Sequence, residues 1–223
     1  MTRVTLPKQR ALETRQRIIE AGLAAFGRRG YSEPTVEQIA DEAGVSIGAF
    51  YHHFPSKAEL FKAILEEHIG DAVIELHEFL PASSFRELIE HFVDGWFQHL
   101  ETTPAFNRMF REVAETHEAW ALAAIAELHQ NGARAISRVL ALAQRFGLVR
   151  EDLDPAAGGA VIVTMMEGIE ALWSVDRAAV DDPSFKSAWA DSIERYIAAD
   201  NPADIDGFQA EMRRLFGDGV DSK

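Results

Sequence analysis

The chain has 223 residues, 47% of them hydrophobic, and sets 36 acidic side chains against 22 lysines and arginines for a formal net charge of −14. That is enough apolar material for a substantial core, arranged as one elongated domain or, as expected here, as two closely joined ones. The lack of cysteine excludes a disulfide framework and thiolate metal sites, and with no apolar run near membrane-spanning length and no apolar core in the N-terminal MTRVTLPKQR, a cytoplasmic location without membrane attachment is expected.

Charge is unevenly placed. Residues 1–62 hold nine lysines or arginines and seven acids, net +2, whereas the remainder is net −16. Only the N-terminal part can attract a polyanion. Arg3, Lys8, Arg10, Arg15 and Arg17 precede or enter the first helix, where a basic arm could reach backbone phosphates or a minor groove, although a solvated tail explains them equally well.

From Thr35 to Phe61 the pattern is two short helices around a three-residue turn, with another helix following. Thr35 can cap the first while Gln38 reaches back, and Val36, Ile39, Ala40 and Ala43 share one face. Gly44 supplies the left-handed conformation that ends it, so Ala43-Gly44-Val45 turns the chain into a second helix starting near Ser46. Val45, Ala49 and Phe50 point back toward the first helix, while Ser46, Gly48, Tyr51 and His52 point outward without an acid among them. A face like that can approach phosphates. Phe50 and Phe54 read as core, His53 as a solvated or locally packed residue, and Tyr51, directly after buried Phe50, must leave the apolar face.

Pro55 breaks the run, and Ser56 with Glu59 starts a fourth helix expected to reach about Phe79, burying Phe61, Leu65, Ile69, Val73 and Leu76 before Pro81 stops it. Lys57 in its first turn opposes the helix dipole, which points to a role other than helix stability. Beyond Pro81 no alternating-strand pattern occurs. Thr103-Pro104, Asp154-Pro155, Asp182-Pro183 and Asn201-Pro202 pair a capping residue with proline at the first helical position, and Ser84 with Glu87 forms a further box. These signals bracket helices near 84–101, 104–114, 117–146, 155–177, 183–198 and 203–216, about ten in all.

With those residues on the page, the segment from Leu12 to about Asp71 resembles the DNA-binding domain of TetR-type transcriptional regulators, with ETRQRIIEAGLAAFGRRGY as supporting first helix and GAFYHHFPSKAELF as recognition helix and exit. The resemblance implies an all-α fold: an N-terminal three-helix helix-turn-helix domain (12–72, the motif itself about 35–54) joined by a long fourth helix to a helical effector-binding and dimerisation domain (73–217). It implies base or sugar-phosphate contacts from Ser46, Ile47 and Gly48, and phosphate contacts from Thr35, Tyr51, His52 and Lys57, although Thr35 would cap its helix with or without DNA. The function implied is a ligand-responsive regulator, a repressor released from a palindromic double-stranded operator by a small apolar or amphipathic effector.

For the body, the resemblance implies a homodimer. Met166, Ile169 and Trp173 in the helix from Pro155, and Trp189, Ile193 and Ile197 in the next, recur at helical spacing and would form a four-helix interface or, equally, ordinary intramolecular core. Gly158, Gly159 and Ala160 permit close helix approach. An effector cavity is expected among Phe92, Trp96, Phe106, Phe110, Arg111, Trp120 and Met165, with Met109 nearby and His91, Asp94 or Glu167 as further polar contacts; core packing explains most of these as well.

Catalysis is not expected. No Glu-x-x-His pair or phosphate-binding glycine loop occurs, and neither a cofactor nor a metal site is expected. The alternatives are a metal-responsive helical regulator using His91 and Asp94 and, further off, a helical-bundle enzyme.

Overall fold

A computed structural model describes residues 6–75, 82–200 and 202–216. Among the described residues there are eleven α-helices: α1 Leu6–Arg29, α2 Val36–Glu42, α3 Ile47–His53, α4 Lys57–Glu75, α5 Phe85–Thr102, α6 Pro104–Glu115, α7 Ala119–Arg145, α8 Pro155–Trp173, α9 Arg177–Val180, α10 Pro183–Ile197 and α11 Ile205–Phe216. The sole non-helical pairing among them is an isolated antiparallel bridge between Val149 and Ala198.

Local chemistry sets most boundaries. Asp154 and Asp182 cap α8 and α10 through Ala156 N and Ser184 N, each with proline at the first helical positions. Thr103 precedes Pro104 but makes no side-chain cap bond. Two boundaries differ from expectation. The run expected at 155–177 ends at Trp173, and Asp176 then caps a separate four-residue turn by accepting from Ala179 N. The last helix starts at Ile205, where Asp204 accepts from Gly207 N at 2.8 Å; Asn201 lies outside the described residues. The expected extension of α4 to Phe79 also lies outside them, as do the side chains of Ile69, Val73 and Leu76.

The chain divides into two compact units, Met1–His68 with Thr103–Ala126, and Ile69–Thr102 with Glu127–Lys223. The first therefore takes in α6 and the first turns of α7, beyond the 12–72 segment named from the sequence. Its core holds Ile18, Phe26, Ile39, Phe50, Leu60, Phe61, Met109 and Val113, and α6 packs along α1. The second is organised around Phe85, Val93, Phe97, Leu100, Leu148, Ile193 and Phe208. Within it α8 crosses α7 so closely that a Cβ at Gly159 would sit 2.4 Å from Ala133 O. A buried polar clasp adds to it: Gln209 accepts from Ala82 N at 3.2 Å and donates to Ala82 O at 2.5 Å, which leaves a side chain only 3% exposed with both amide functions satisfied.

Candidate nucleic-acid interface

The capping box that starts α2 is complete: Thr35 Oγ1 accepts from Gln38 N at 3.3 Å, and Gln38 Oε1 accepts from Thr35 N at 3.0 Å. Gly44 (φ +64°) makes the turn, and Ser46 Oγ accepts from Ala49 N at 3.1 Å to start α3. Phe50 is fully buried, whereas Thr35, Ser46, Ile47, Gly48, Tyr51 and His52 are exposed, Ile47 and Tyr51 by 46% and 48%. Six of the seven expected DNA-contacting residues are thus accessible. No acid comes from α3, while Glu37, exposed in the first turn of α2, is hydrogen-bonded to the Thr35 side chain.

Lys57, the seventh, is half-buried. Its Nζ donates to Ser32 O and Pro34 O, both at 3.1 Å, and lies 4.6 Å from the centroid of the Tyr31 ring. Burial lowers its pKa, an effect opposed by the negative charge of Glu112. Two of its three N–H groups are therefore spent on the turn before α2. The box at Ser56 is half-formed: Ser56 Oγ takes Glu59 N at 3.1 Å, while the Glu59 carboxylate pairs with Lys62 at 2.7 Å.

Two residues that the sequence did not single out organise the same turn. Glu112 of α6 accepts from Tyr31 N at 2.9 Å and from Ser32 N at 3.0 Å. Tyr31 packs its ring against Phe26, Phe61 and Trp120 at centroid distances of 5.3, 5.5 and 5.4 Å, and burial pushes its hydroxyl up to about 12. At the other end of α3, Arg15 caps the Phe54 ring at 5.3 Å, and His53 meets His52 at 5.2 Å.

Comparison with known proteins decides the class of this interface. The model for bacterial regulatory proteins of the tetR family matches residues 18–64. The HTH-type transcriptional regulator TtgR of Pseudomonas putida is 30% identical over 83% of this chain and 91% of its own length. The chain belongs to the tetR family of bacterial regulatory proteins. The family member is also 28% identical to the probable acrEF/envCD operon repressor of Escherichia coli, across 86% of this chain and 90% of that one. A SmeT–triclosan complex shares its fold, with a TM-score of 0.66 and 20% identity over 86% of this chain and 96% of that one. The protein is a DNA-binding transcriptional regulator and not an enzyme.

The residues named for an effector are divided between the two units of this tetR-family regulator. Phe106, Phe110, Arg111 and Trp120 belong to the first unit: Phe106 is buried and stacks on Phe110 at 6.0 Å, Arg111 is exposed, and Trp120 packs on Tyr31 and Phe61. The second unit holds a partly open cavity of about 90 Å³ lined by apolar side chains that include Phe92, Leu88, Ile136, Val139, Ala143 and Phe208. Phe92 is the expected residue that reaches it, while Trp96 and Met165 pack half-buried against the same core. Glu167 faces His129 at 3.1 Å, and burial raises its pKa against the opposing pull of that histidine.

The helical stripes named for a dimer also resolve differently. Ile169, Trp189, Ile193 and Ile197 are 2–7% exposed and packed into their own unit, and Met166 and Trp173 lean on the same core. Burial there removes these side chains from the outward face. What α8 presents outward is Ala157, Val161, Thr164, Gly168 and Leu172, continued by Val175, which is 86% exposed. By length and composition α8 could cross a membrane, with a mean hydropathy of 1.2 and 22% of its window buried. A helix of a soluble protein passes the same test, and Glu167 and Glu170 interrupt the apolar sequence of this one. For the metal alternative, Asp94 faces Lys186 at 3.8 Å and His91 faces Glu87 at 3.8 Å; no cluster of three or more candidate ligands occurs among the described residues.

Proposed function

We propose that this regulator is a cytoplasmic repressor that binds a palindromic operator as a homodimer and is released when a small apolar effector occupies the cavity of the second unit. The observation that carries the DNA half is the exposure of Thr35, Ser46, Ile47, Gly48, Tyr51 and His52, with no acid contributed by α3. Ser46 accepts a bond from its helix while its hydroxyl keeps its own hydrogen for a phosphate oxygen; the Thr35 hydroxyl caps α2 and is shared with the Glu37 carboxylate, which a phosphate oxygen would have to displace. The Tyr51 hydroxyl and His52 add phosphate contacts, Lys57 adds its remaining N–H, and Ile47 offers an apolar edge to a thymine methyl group beside the small Gly48.

Dimerisation is supported by the outward face of α8. Ala157, Val161, Thr164, Gly168, Leu172 and Val175 follow one another at intervals of three or four residues and include no charge. A second copy laid on that stripe covers it, and a two-fold axis supplies the paired recognition helices that half-sites about 34 Å apart require.

The effector reading rests on the cavity. Its lining offers no ion-pairing group, and at about 90 Å³ it is smaller than an engineered apolar cavity of roughly 150 Å³ that takes up benzene or xenon. An uncharged, largely hydrocarbon ligand is the chemistry that fits, and a larger one must spread the helices around it. SmeT, a structural neighbour, is found in complex with triclosan. A preference of about 1–3 kcal/mol for the DNA-incompetent form makes release roughly 5- to 150-fold more favourable, and linkage requires DNA to weaken effector binding equally.

Selection of bound duplexes from a random pool tests the reading, at one near-physiological salt concentration because ionic strength alone shifts affinity by orders of magnitude. A recovered palindrome with half-sites about one helical turn apart is expected. Failure of protein refolded free of small molecules to enrich any sequence would sink it.

A further inference from the structure

The turn between α1 and α2 is gripped from both sides, by Glu112 of α6 and by Lys57 of α4. On its N–H side, the two carboxylate oxygens of Glu112 accept separately from Tyr31 N and Ser32 N at 2.9 and 3.0 Å. On its C=O side, Lys57 Nζ holds Ser32 O and Pro34 O. The next residue is Thr35, exposed, whose hydroxyl caps the start of α2.

The arrangement is a built anion seat. Successive backbone N–H groups following a left-handed residue form a concavity suited to a carboxylate, and Gly30 at φ +79° supplies that conformation. A Cβ at Gly30 would lie 1.8 Å from Glu112 Oε2, so the space a side chain would use is filled by the carboxylate. The seat is stiffened by its neighbours: Met109 and Val113 beside Glu112 are fully buried, and the Tyr31 ring is fixed against Phe26, Phe61 and Trp120. A shift of α6 is thereby imposed on residues 31 and 32, three or four positions before Thr35.

We infer that Glu112 is a positioning residue for DNA binding, a fastener through which α6 sets where the start of α2 lies, although its carboxylate touches no surface expected to meet DNA. The inference rests on the assignment of Thr35 and α3 to the DNA interface. Its sign is unusual. Removing an acid from a DNA-binding unit lessens repulsion of phosphate and by charge alone strengthens binding, whereas loss of the fastener weakens it.

The test uses the full-length protein and its selected operator duplex, followed by fluorescence anisotropy across a salt series. Glu112→Gln keeps one acceptor oxygen and loses the charge; Glu112→Asp keeps the charge and loses the reach. Both are expected to bind operator about 2- to 30-fold more weakly, the range over which residues without ligand contact modulate a distant site. The slope of log affinity against log salt should be unchanged, because no phosphate contact is removed. Hydrogen exchange should quicken at Tyr31 and Ser32 with the buried core amides unaltered, and stoichiometric titration should show a fully active preparation. Glu115→Gln, on the exposed end of the same helix, reports the charge effect alone and should bind as tightly as the parent or more tightly. Equal or tighter binding by both Glu112 variants would overturn the inference, as would a loss matched by an equal fall in active fraction. If the parent protein itself selects no operator, the interface assignment fails; if the parent binds and the variants match it, only the role of Glu112 fails.

Discussion

The first unit adds polar fasteners to its apolar core and leaves a mainly polar face bare, whereas the second is packed around an apolar cavity and leaves an apolar face bare. In the first, the capping box at Thr35, the carboxylate of Glu112 and the ammonium of Lys57 fix short helices whose outward residues are hydroxyls, a glycine and a histidine. In the second, aliphatic and aromatic side chains line an apolar cavity, and α8 turns apolar residues outward. A bare surface of hydroxyls and a histidine around Ile47, with no acid from α3, suits DNA; a bare apolar stripe suits another protein surface. The contrast therefore separates what each unit recognises.

Breaking the apolar half should give the largest effect. Phe208 is 1% exposed, lines the cavity and meets Phe146 at 6.3 Å, so Phe208→Ala enlarges an existing void and should cost about 3–5 kcal/mol in denaturant unfolding. A loss below about 1 kcal/mol would mean that the second unit is not held by this packing. Next comes the outward stripe. Leu172→Glu places a charge on a face that is 39% exposed in the single chain yet covered in the proposed dimer. Sedimentation should then show monomers, and operator affinity should fall by roughly 100-fold or more, since that loss corresponds to about 2.7 kcal/mol. An intact dimer with parental affinity would assign the interface elsewhere.

The same contrast explains what could be read in the sequence. The α2–α3 motif was legible because its signals are local: Thr35 with Gln38, Gly44, and Ser46 each act within three or four residues. Helix α8 was legible as a helix but not by face, because it is apolar on both sides; Ile162 and Ile169 turn inward while Val161 and Leu172 turn outward, and periodicity alone does not rank them. Glu112 carried no signal at all. Its partners Tyr31 and Ser32 lie 81 and 80 residues away, and only the packing of α6 on α1 brings them together. For the same reason Phe106, Phe110 and Trp120 read as cavity residues, though they serve the core of the first unit. The short α9 had a legible start in Asp176, hidden at the end of an apolar run that reads as continuous.

Smaller effects sharpen the polar half. Tyr51→Phe removes a hydroxyl from a side chain that is 48% exposed. Stability should stay within about 0.5 kcal/mol of the parent. Affinity should fall about fivefold, near 1 kcal/mol, on every duplex tested, because a phosphate contact carries no sequence information. Ile47→Ala should instead change which bases are preferred at one position. A Tyr51→Phe protein that loses affinity for only one sequence would reverse these two roles.

The smallest effect is on acid sensitivity, and here the units should respond in opposite directions. His53 is partly buried, and burial, then His52, then Arg15 hold its pKa below the ordinary 6.5. Its folded form resists protonation, so below about pH 6.5 the unfolded chain binds more protons and stability falls as pH drops, until the folded-state value is passed. Glu167 has the reverse sign. Burial raises its pKa above 4.5, with His129 opposing, so the folded chain binds more protons as pH falls toward 4.5 and stability gains there. Unfolding midpoints measured across this range should decline more gently in His53→Gln than in the parent, and should lose the gain at the acid end in Glu167→Gln. A His53→Gln profile parallel to the parent would show that the end of α3 is as well solvated as its outward face, and the boundary between buried and bare surface would then have to be drawn one residue earlier, at His52.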